Sequence, residues 1–386
     1  MRTFTRPLTV IFFFVIALVP VGLFEHGGPG RLSSYGPLAR APFPKNFAPD
    51  TFRRMGDWFE DNIGLRNVFE EIGAQLHLAV LRISTNRNVL IGEHGWLFWS
   101  DYEKEPAVRM LDLQGALRFQ SAEIRSINSN LHRIAETFAQ CGKVALVIVA
   151  PNKQSIYGEN LLRESNAPSR LDDLLDKLDA SARAIVLDAR EPLRAAKRTQ
   201  HLPLYYKTDT HWNELGAFEV YREIVQRLEH VGAVYGPELA SLRYYDVKVE
   251  PFAGGDLSIR MLQAPWLFSD EAVHLFPKSM LPEIYVDQSN SIYQNSRGSG
   301  RLVVIGDSFS PSLARLLSNH FKEVDHHLVA GDRFDVSVAT GSGADVEVLE
   351  VVERNLSALK WPSIGLQCRR EVSQPEASQR TSVDRP

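Results

Sequence analysis

Two short segments of this chain carry residue types that together perform nucleophilic catalysis. One is Asp209-Thr210-His211-Trp212-Asn213; the other is Gly306-Asp307-Ser308-Phe309-Ser310-Pro311. A serine hydroxyl is a weak nucleophile until a base takes its proton, and an imidazole base needs a carboxylate on its other nitrogen to fix the tautomer. Asp209 and His211, two residues apart, satisfy the second need if their loop folds back. Ser308 satisfies the first if the fold carries it to His211. Gly306 permits a tight backbone after an apolar run, and Pro311 suits a first helical turn, where its missing N–H is not needed. Ser308 then stands at a strand-to-helix turn, where free N–H groups and the helix dipole stabilise a developing oxyanion. A plainer account exists for each segment. Ser308 or Ser310 can simply cap a helix. Asp209-Thr210-His211 can be a helix-start loop, capped by Thr210 or Asn213, with Trp212 as packing.

Positioning these groups falls to the surrounding elements. After one leading basic residue each, Lys143–Ala150 and Arg301–Ile305 are apolar, as strands buried on both faces are, and Ala184–Asp188 and Val346–Glu350 read as two more strands. Helices are expected over about 118–140, 168–182, 213–230 and 311–320, with a short last one ending near 360. Alternating strands and helices favour a parallel sheet covered on both sides. Val89–Ile91 and Leu97–Trp99 read as two short strands around a Glu-His-Gly turn, and apolar residues from Trp58 to Ile83 recur at helical spacing. The stretch 233–300, rich in Pro, Gly and aromatics, reads as insertions over the strand ends.

The chain has 386 residues, a net charge of −4, 44% hydrophobic and 23% charged residues. This balance excludes a disordered chain or a polytopic membrane protein and gives no global reason to bind nucleic acid. Two cysteines, Cys141 and Cys368, cannot build a disulfide framework or a four-thiolate zinc site, and whether they bridge each other is open. Residues 1–24 place Arg2 and Arg6 ahead of an uncharged apolar run from Pro7 to Phe24 without a small-residue cleavage pattern. The expectation is a retained signal anchor that sends the rest of the chain across the inner membrane into the periplasm, with a cleaved signal peptide and release into the periplasm as the alternative. Residues 25–50, rich in Gly and Pro, form a tether, residues 51–360 the folded domain, and residues 361–386 a polar tail.

Other candidates are weaker. His326-His327 point to opposite faces if on a strand and have no third ligand nearby, so neither a metal nor another cofactor is expected. Trp96, Trp99, Trp212 and Trp266 are of the type that stacks on sugar rings, but core or rim packing is the better reading of each. Lys153 and Tyr157, at the end of the first buried strand, are candidates for substrate or oxyanion contact, with Trp212 and Asp256. Asp256 and Glu353 also suit buried pairing with Arg354 or Lys153.

Several blocks, in order, resemble the alginate O-acetyltransferase family of AlgJ/AlgX-type proteins, relatives of the SGNH hydrolases. They are Phe59–Arg66, Val89–Phe98, Pro151–Tyr157, Lys207–Asn213, Gly255–Leu257, Ile305–Phe309 and Glu350–Arg354. The resemblance implies a three-layer α/β SGNH hydrolase-like domain with a parallel central sheet, behind one N-terminal membrane helix. It implies Ser308 as nucleophile, His211 as base and Asp209 as its orienting carboxylate. The chain order Asp, His, Ser is permuted relative to simpler SGNH hydrolases, and the second oxyanion donor is not placed. The short C-terminal segment favours an AlgJ-like, anchored member over an AlgX-like one with an added carbohydrate-binding module. The implied activity is periplasmic transfer of acetyl groups, through an acetyl-serine, to hydroxyls of an exported polysaccharide. The implied partners are that polysaccharide and a membrane-bound O-acyltransferase as acetyl supplier. A carbohydrate acetylesterase with the same triad, or a non-catalytic polysaccharide-binding subunit, are the alternatives.

Overall fold

The computed structural model describes residues 50–62, 76–81, 83–84, 86–100, 117–162, 168–279, 281–287, 291–329 and 344–360, with pieces at 32–33, 36–37 and 43–44. The expected anchor over 1–24, most of the tether and the polar tail lie outside the described residues. Among the described residues no helix is long and apolar enough to cross a membrane. The folded chain divides into two units. One takes the described residues of Met1–Glu103 with Lys207–Thr210 and Pro251–Asp270; the other takes those of Lys104–Tyr206, His211–Glu250 and Glu271–Pro386.

The larger unit is built on a seven-stranded sheet. Its strands are β1 (Val144–Ala150), β2 (Val186–Asp188), β3 (Tyr285–Asp287), β4 (Ile292–Gln294), β5 (Arg301–Gly306), β6 (Glu323–Leu328) and β7 (Val346–Val352). Their spatial order is β2-β1-β7-β5-β6-β4-β3. The first five of that order run parallel, with Val348 beside both Leu146 and Val304. β4 pairs antiparallel with β6 and with β3, so the sheet is mixed rather than wholly parallel as expected. The segment containing β3 and β4 reads as an irregular insertion because strands of three residues are too short for alternation to show. Only four residues of sequence separate them, too few for the crossover that a parallel pair needs, so they pair antiparallel.

Helices cover both faces. α1 (Ser121–Gln140) lays Ile124, Ile127, Leu131, Ile134 and Phe138 on Val147, Val149, Ile305, Leu349 and Val351. α2 (Glu214–His230) and α3 (Ser310–Leu317) follow the two catalytic-type segments. The helix expected over 168–182 is two helices, Arg170–Leu175 and Ala180–Ile185. The break falls where the Asp179 carboxylate accepts the Ala182 N–H at 2.8 Å and starts a new helix. The helix Arg190–Thr199 was not foreseen. Cys141, at the end of α1, is disulfide-bonded; the chain's other cysteine, Cys368, lies outside the described residues.

In the smaller unit, Val89–Ile91 and Leu97–Trp99 form the expected antiparallel pair. Val89 and Leu97 are packed with Leu78, Leu257, Leu262 and Ala264 in its core.

Glu347, within β7, is fully buried, and among the described residues neither of its carboxylate oxygens finds a hydrogen-bond partner. Burial pushes this carboxyl up to about 8. The folded state therefore keeps the proton while the unfolded chain releases it near the ordinary carboxylate value. Stability is full below that value and is lost as pH rises towards 8, by at most about 1.4 kcal/mol per pH unit. Thermal melts between pH 5 and 8 are expected to fall for the native chain and to be flatter for Glu347→Met. Equal slopes in the two proteins would contradict this assignment.

Candidate active site

The catalytic-type serine sits where the central strand ends. β5 stops at Gly306, and the chain turns through Asp307-Ser308-Phe309 into α3, leaving Ser308 exposed. The turn is fixed by carboxylates. Asp307 Oδ1 accepts the Phe309 N–H at 3.1 Å, Asp307 Oδ2 accepts the Val352 N–H at 3.0 Å, and Glu350 Oε2 accepts the Asp307 N–H at 3.0 Å. Glu350 is fully buried, and desolvation first, then the neighbouring Asp307 charge, hold its pKa well above the ordinary range. A Cβ on Gly306 would lie 2.6 Å from Ser310 Cβ and 2.7 Å from Glu350 Oε2, so no other residue fits there without displacing the turn.

Neither serine acts as the cap. Phe309 occupies the cap position without a side-chain bond, and Ser310 is the first helical residue. Ser310 Oγ donates to Asp307 O at 2.7 Å and lies 2.8 Å from His326 Nε2. Burial lowers the His326 pKa to about 4, so the ring is neutral. With the hydroxyl proton already committed, Nε2–H is the donor to Ser310. His326 thus belongs to the floor of the serine turn, and its neighbour His327 faces Asp325 at 3.1 Å.

His211 reaches Ser308: Nε2 lies 2.7 Å from Oγ, across 97 residues of sequence. The loop carrying it is pinned by the bridge between Tyr205 and Trp212, by the Tyr206 N–H donating to His211 O at 3.3 Å, and by Asn213. Asn213 Oδ1 accepts the Leu215 and Gly216 N–H groups at 3.0 Å, so Asn213, not Thr210, caps α2. The imidazole stands 4.7 Å from the Phe309 ring, which meets buried Trp212 edge-on at 4.9 Å. The Ser308 backbone N–H has no acceptor among the described residues, which leaves it as a donor for an oxyanion beside the hydroxyl.

Lys153 and Tyr157 are both buried and hold the same loop. Lys153 Nζ donates to Tyr206 O at 3.0 Å, and the Tyr157 hydroxyl accepts the Leu204 N–H at 2.9 Å. Burial raises the Tyr157 pKa. Placed this way, they act on the backbone of the histidine loop rather than on an open surface, and buried Trp212 is packing.

In the smaller unit, the segment Lys207–Thr210 is held by two carboxylates. Asp270 accepts the Lys207 and Thr208 N–H groups at 3.1 and 2.8 Å and the Thr208 hydroxyl at 2.6 Å. Asp256 accepts the Thr210 N–H at 2.8 Å and its hydroxyl at 2.7 Å, while the Asp256 N–H donates to Asp209 Oδ2 at 2.9 Å. Asp256 therefore serves a backbone rather than pairing with a cation as expected. A Cβ on Gly255 would collide with Asp209, so glycine is required for this approach. Asp270 has no local signature: it lies 62 residues from Thr208 and is preceded by no motif.

A family model described as "SGNH hydrolase-like domain, acetyltransferase AlgX" matches residues 89–340. The chain belongs to this family. The probable alginate O-acetylase AlgJ of Pseudomonas aeruginosa is 28% identical over 166 residues, which cover 42% of this chain and 36% of that relative. The match thus spans about a third of the relative's length. Among solved structures, Bacillus cereus PatB1 with a sulfonyl adduct is similar with a TM-score of 0.50 at 14% identity, over 71% of this chain and 97% of that one. The O-acetyltransferase domain of Pseudomonas putida AlgJ matches with a TM-score of 0.41 at 20% identity, over 70% and 92%. The α/β fold with its mixed sheet is that of the SGNH-like family.

The carboxylate clamp on the Asp209 segment gives a direct expectation. Asp256→Ala should speed hydrogen exchange at the Thr210 amide by about tenfold or more, since a buried charge-assisted bond is lost. Unchanged protection at that amide would show that the clamp does not hold the segment.

Proposed function

We propose that this chain is a serine-dependent O-acetyltransferase that acetylates hydroxyls of an exported, alginate-like polysaccharide. The observation that carries the reading is the 2.7 Å contact between His211 Nε2 and Ser308 Oγ at a strand-end turn, in a chain of this family. His211 takes the Ser308 proton as Oγ attacks the acetyl carbonyl of the donor. The Ser308 N–H donates to the oxyanion that forms, and His211 returns its proton to the departing donor oxygen. The acetyl group is then held as an ester on Ser308. An acceptor hydroxyl attacks that ester, His211 takes the hydroxyl proton, and Ser308 Oγ leaves with it. Asp209, two residues before the base on the same loop, fixes its tautomer through the second ring nitrogen.

The AlgJ relative's name supplies the alginate-like acceptor, and its family supplies acetyl transfer. A membrane-bound O-acyltransferase would bring the acetyl group to the periplasmic side, and residues 1–24 would anchor the chain there. The Cys141 disulfide suits an oxidising compartment.

The full-length chain should release acetate from a chromogenic acetyl ester, and Ser308→Ala should lose at least about a thousandfold of that rate. Intact-mass analysis should find one acetyl group on the native chain and none on the variant. Asp209→Asn should lower turnover about a hundredfold or more while leaving the fold intact. Full turnover by Ser308→Ala would refute the assignment. Free acetate as the only product in the presence of acceptor polysaccharide would make the chain an esterase instead.

A further inference from the structure

The base and the nucleophile each stand just ahead of a helix, and an ion pair with no role in the chemistry described so far joins the two helices. Glu214 is the first residue of α2, three positions after His211, and Arg315 lies in α3, seven positions after Ser308. Arg315 Nη2 donates to Glu214 Oε2 at 3.0 Å. Nearer the reacting groups, Trp212 and Phe309, the residues next to His211 and Ser308, meet edge-on at 4.9 Å. The two segments are thus fastened to each other at two places, one apolar and one ionic. A single contact fixes a distance and leaves rotation about it free, whereas two contacts fix both.

The Glu214 carboxylate is also held from a third side. Its Oε2 accepts the N–H of buried Leu275 at 2.8 Å, and Oε1 lies 3.4 Å from His274 Nδ1. At the first position of α2 the carboxylate faces the positive end of the helix dipole as well. Arg315 has fewer ties. Among the described residues Glu214 is its one carboxylate partner, and its other electrostatic neighbours are the phenols of Tyr245 and Tyr293. Burial raises both phenols, that of Tyr245 to about 12, so they stay neutral and do not compete for the guanidinium. The side chains of the pair are 39% and 27% exposed, and a pair that wet adds little to the stability of a fold. Its effect belongs in the rate, because a displacement of about 1 Å between reacting groups can cost about a hundredfold.

Resting on the acetyl-transfer reading above, we infer that Glu214 and Arg315 are positioning residues: their ion pair holds α2 against α3 so that His211 Nε2 stays at hydrogen-bond distance from Ser308 Oγ. The pair acts through the two helices and not by contact with the reacting groups. Without it the Trp212–Phe309 contact remains, α2 can turn about that contact, and the distance from Oγ to Nε2 grows. Proton transfer between Ser308 and His211 is needed both to form and to break the acyl ester, so turnover slows. Binding of a small ester, which the pair does not touch, is left as it was.

The test measures kcat and KM of the full-length chain on a chromogenic acetyl ester, with thermal melts alongside. Arg315→Met keeps an aliphatic stem and removes the charge. Its kcat is expected to fall about tenfold, with KM within about twofold of native and a melting temperature lower by a few degrees at most. Glu214→Gln keeps an acceptor for the Leu275 N–H and should also lower kcat with KM unchanged, which supplies the same reading if Arg315→Met does not fold. The two losses should not multiply: the double variant should be no slower than the slower single one, as for two residues acting through one bond. Arg315→Lys, which keeps the charge, should recover part of the rate. Overturning results are a native kcat in the folded single variants, a loss carried by KM, losses that multiply in the double variant, or no gain from Arg315→Lys over Arg315→Met. Failure of the acetyl-transfer reading is separate: turnover would then survive Ser308→Ala. Turnover that needs Ser308 yet ignores Arg315→Met overturns this inference alone.

Discussion

Buried and half-buried carboxylates that accept backbone N–H groups are the constraint on which the site depends. Asp307 and Glu350 tie the serine turn to β7, Glu353 ties the end of β1, and Asp256 and Asp270 tie the segment that carries Asp209. Each such bond satisfies an amide that leaves a strand or loop with no ladder partner, and an unpaired amide in the interior is costly. Side chains are doing the work that secondary structure does elsewhere. The serine turn and the Asp209 segment are thereby held by side chains as well as by backbone, the kind of fixing that preorganised catalysis requires.

The same carboxylates set the electrostatics. Where one of them is taken deep enough, as at Glu350, burial first and the neighbouring Asp307 charge second push its pKa well above the ordinary carboxylate range, so a second negative charge beside Asp307 is disfavoured. His326, held neutral by burial, lies under Ser310 and adds no charge to the serine turn.

Much of this was legible in the residues. The apolar runs of β1 and β5 are buried on both faces and say so by composition, and Gly-Asp-Ser after β5 marks its turn because only glycine fits against Ser310 and Glu350. The partnership of His211 with Ser308 was legible as a pairing of residue types, though not as a distance. What was not legible is non-local. Asp270 reads as an ordinary surface acid, and nothing near it announces that Thr208 will fold onto it. Lys153 and Tyr157 sit where ligands often bind, yet their polar atoms are turned to backbone at residues 204 and 206. The two short strands at 285–294 lack the length for a pattern to emerge, so the sheet looked purely parallel.

The two borders of the central sheet, β2 and β3, are each only three residues long. A border that short offers an arriving strand no more than a few ladder bonds, too little to compensate for the entropy of ordering it. The sheet is consequently a poor template for edge-to-edge growth into fibrous assemblies.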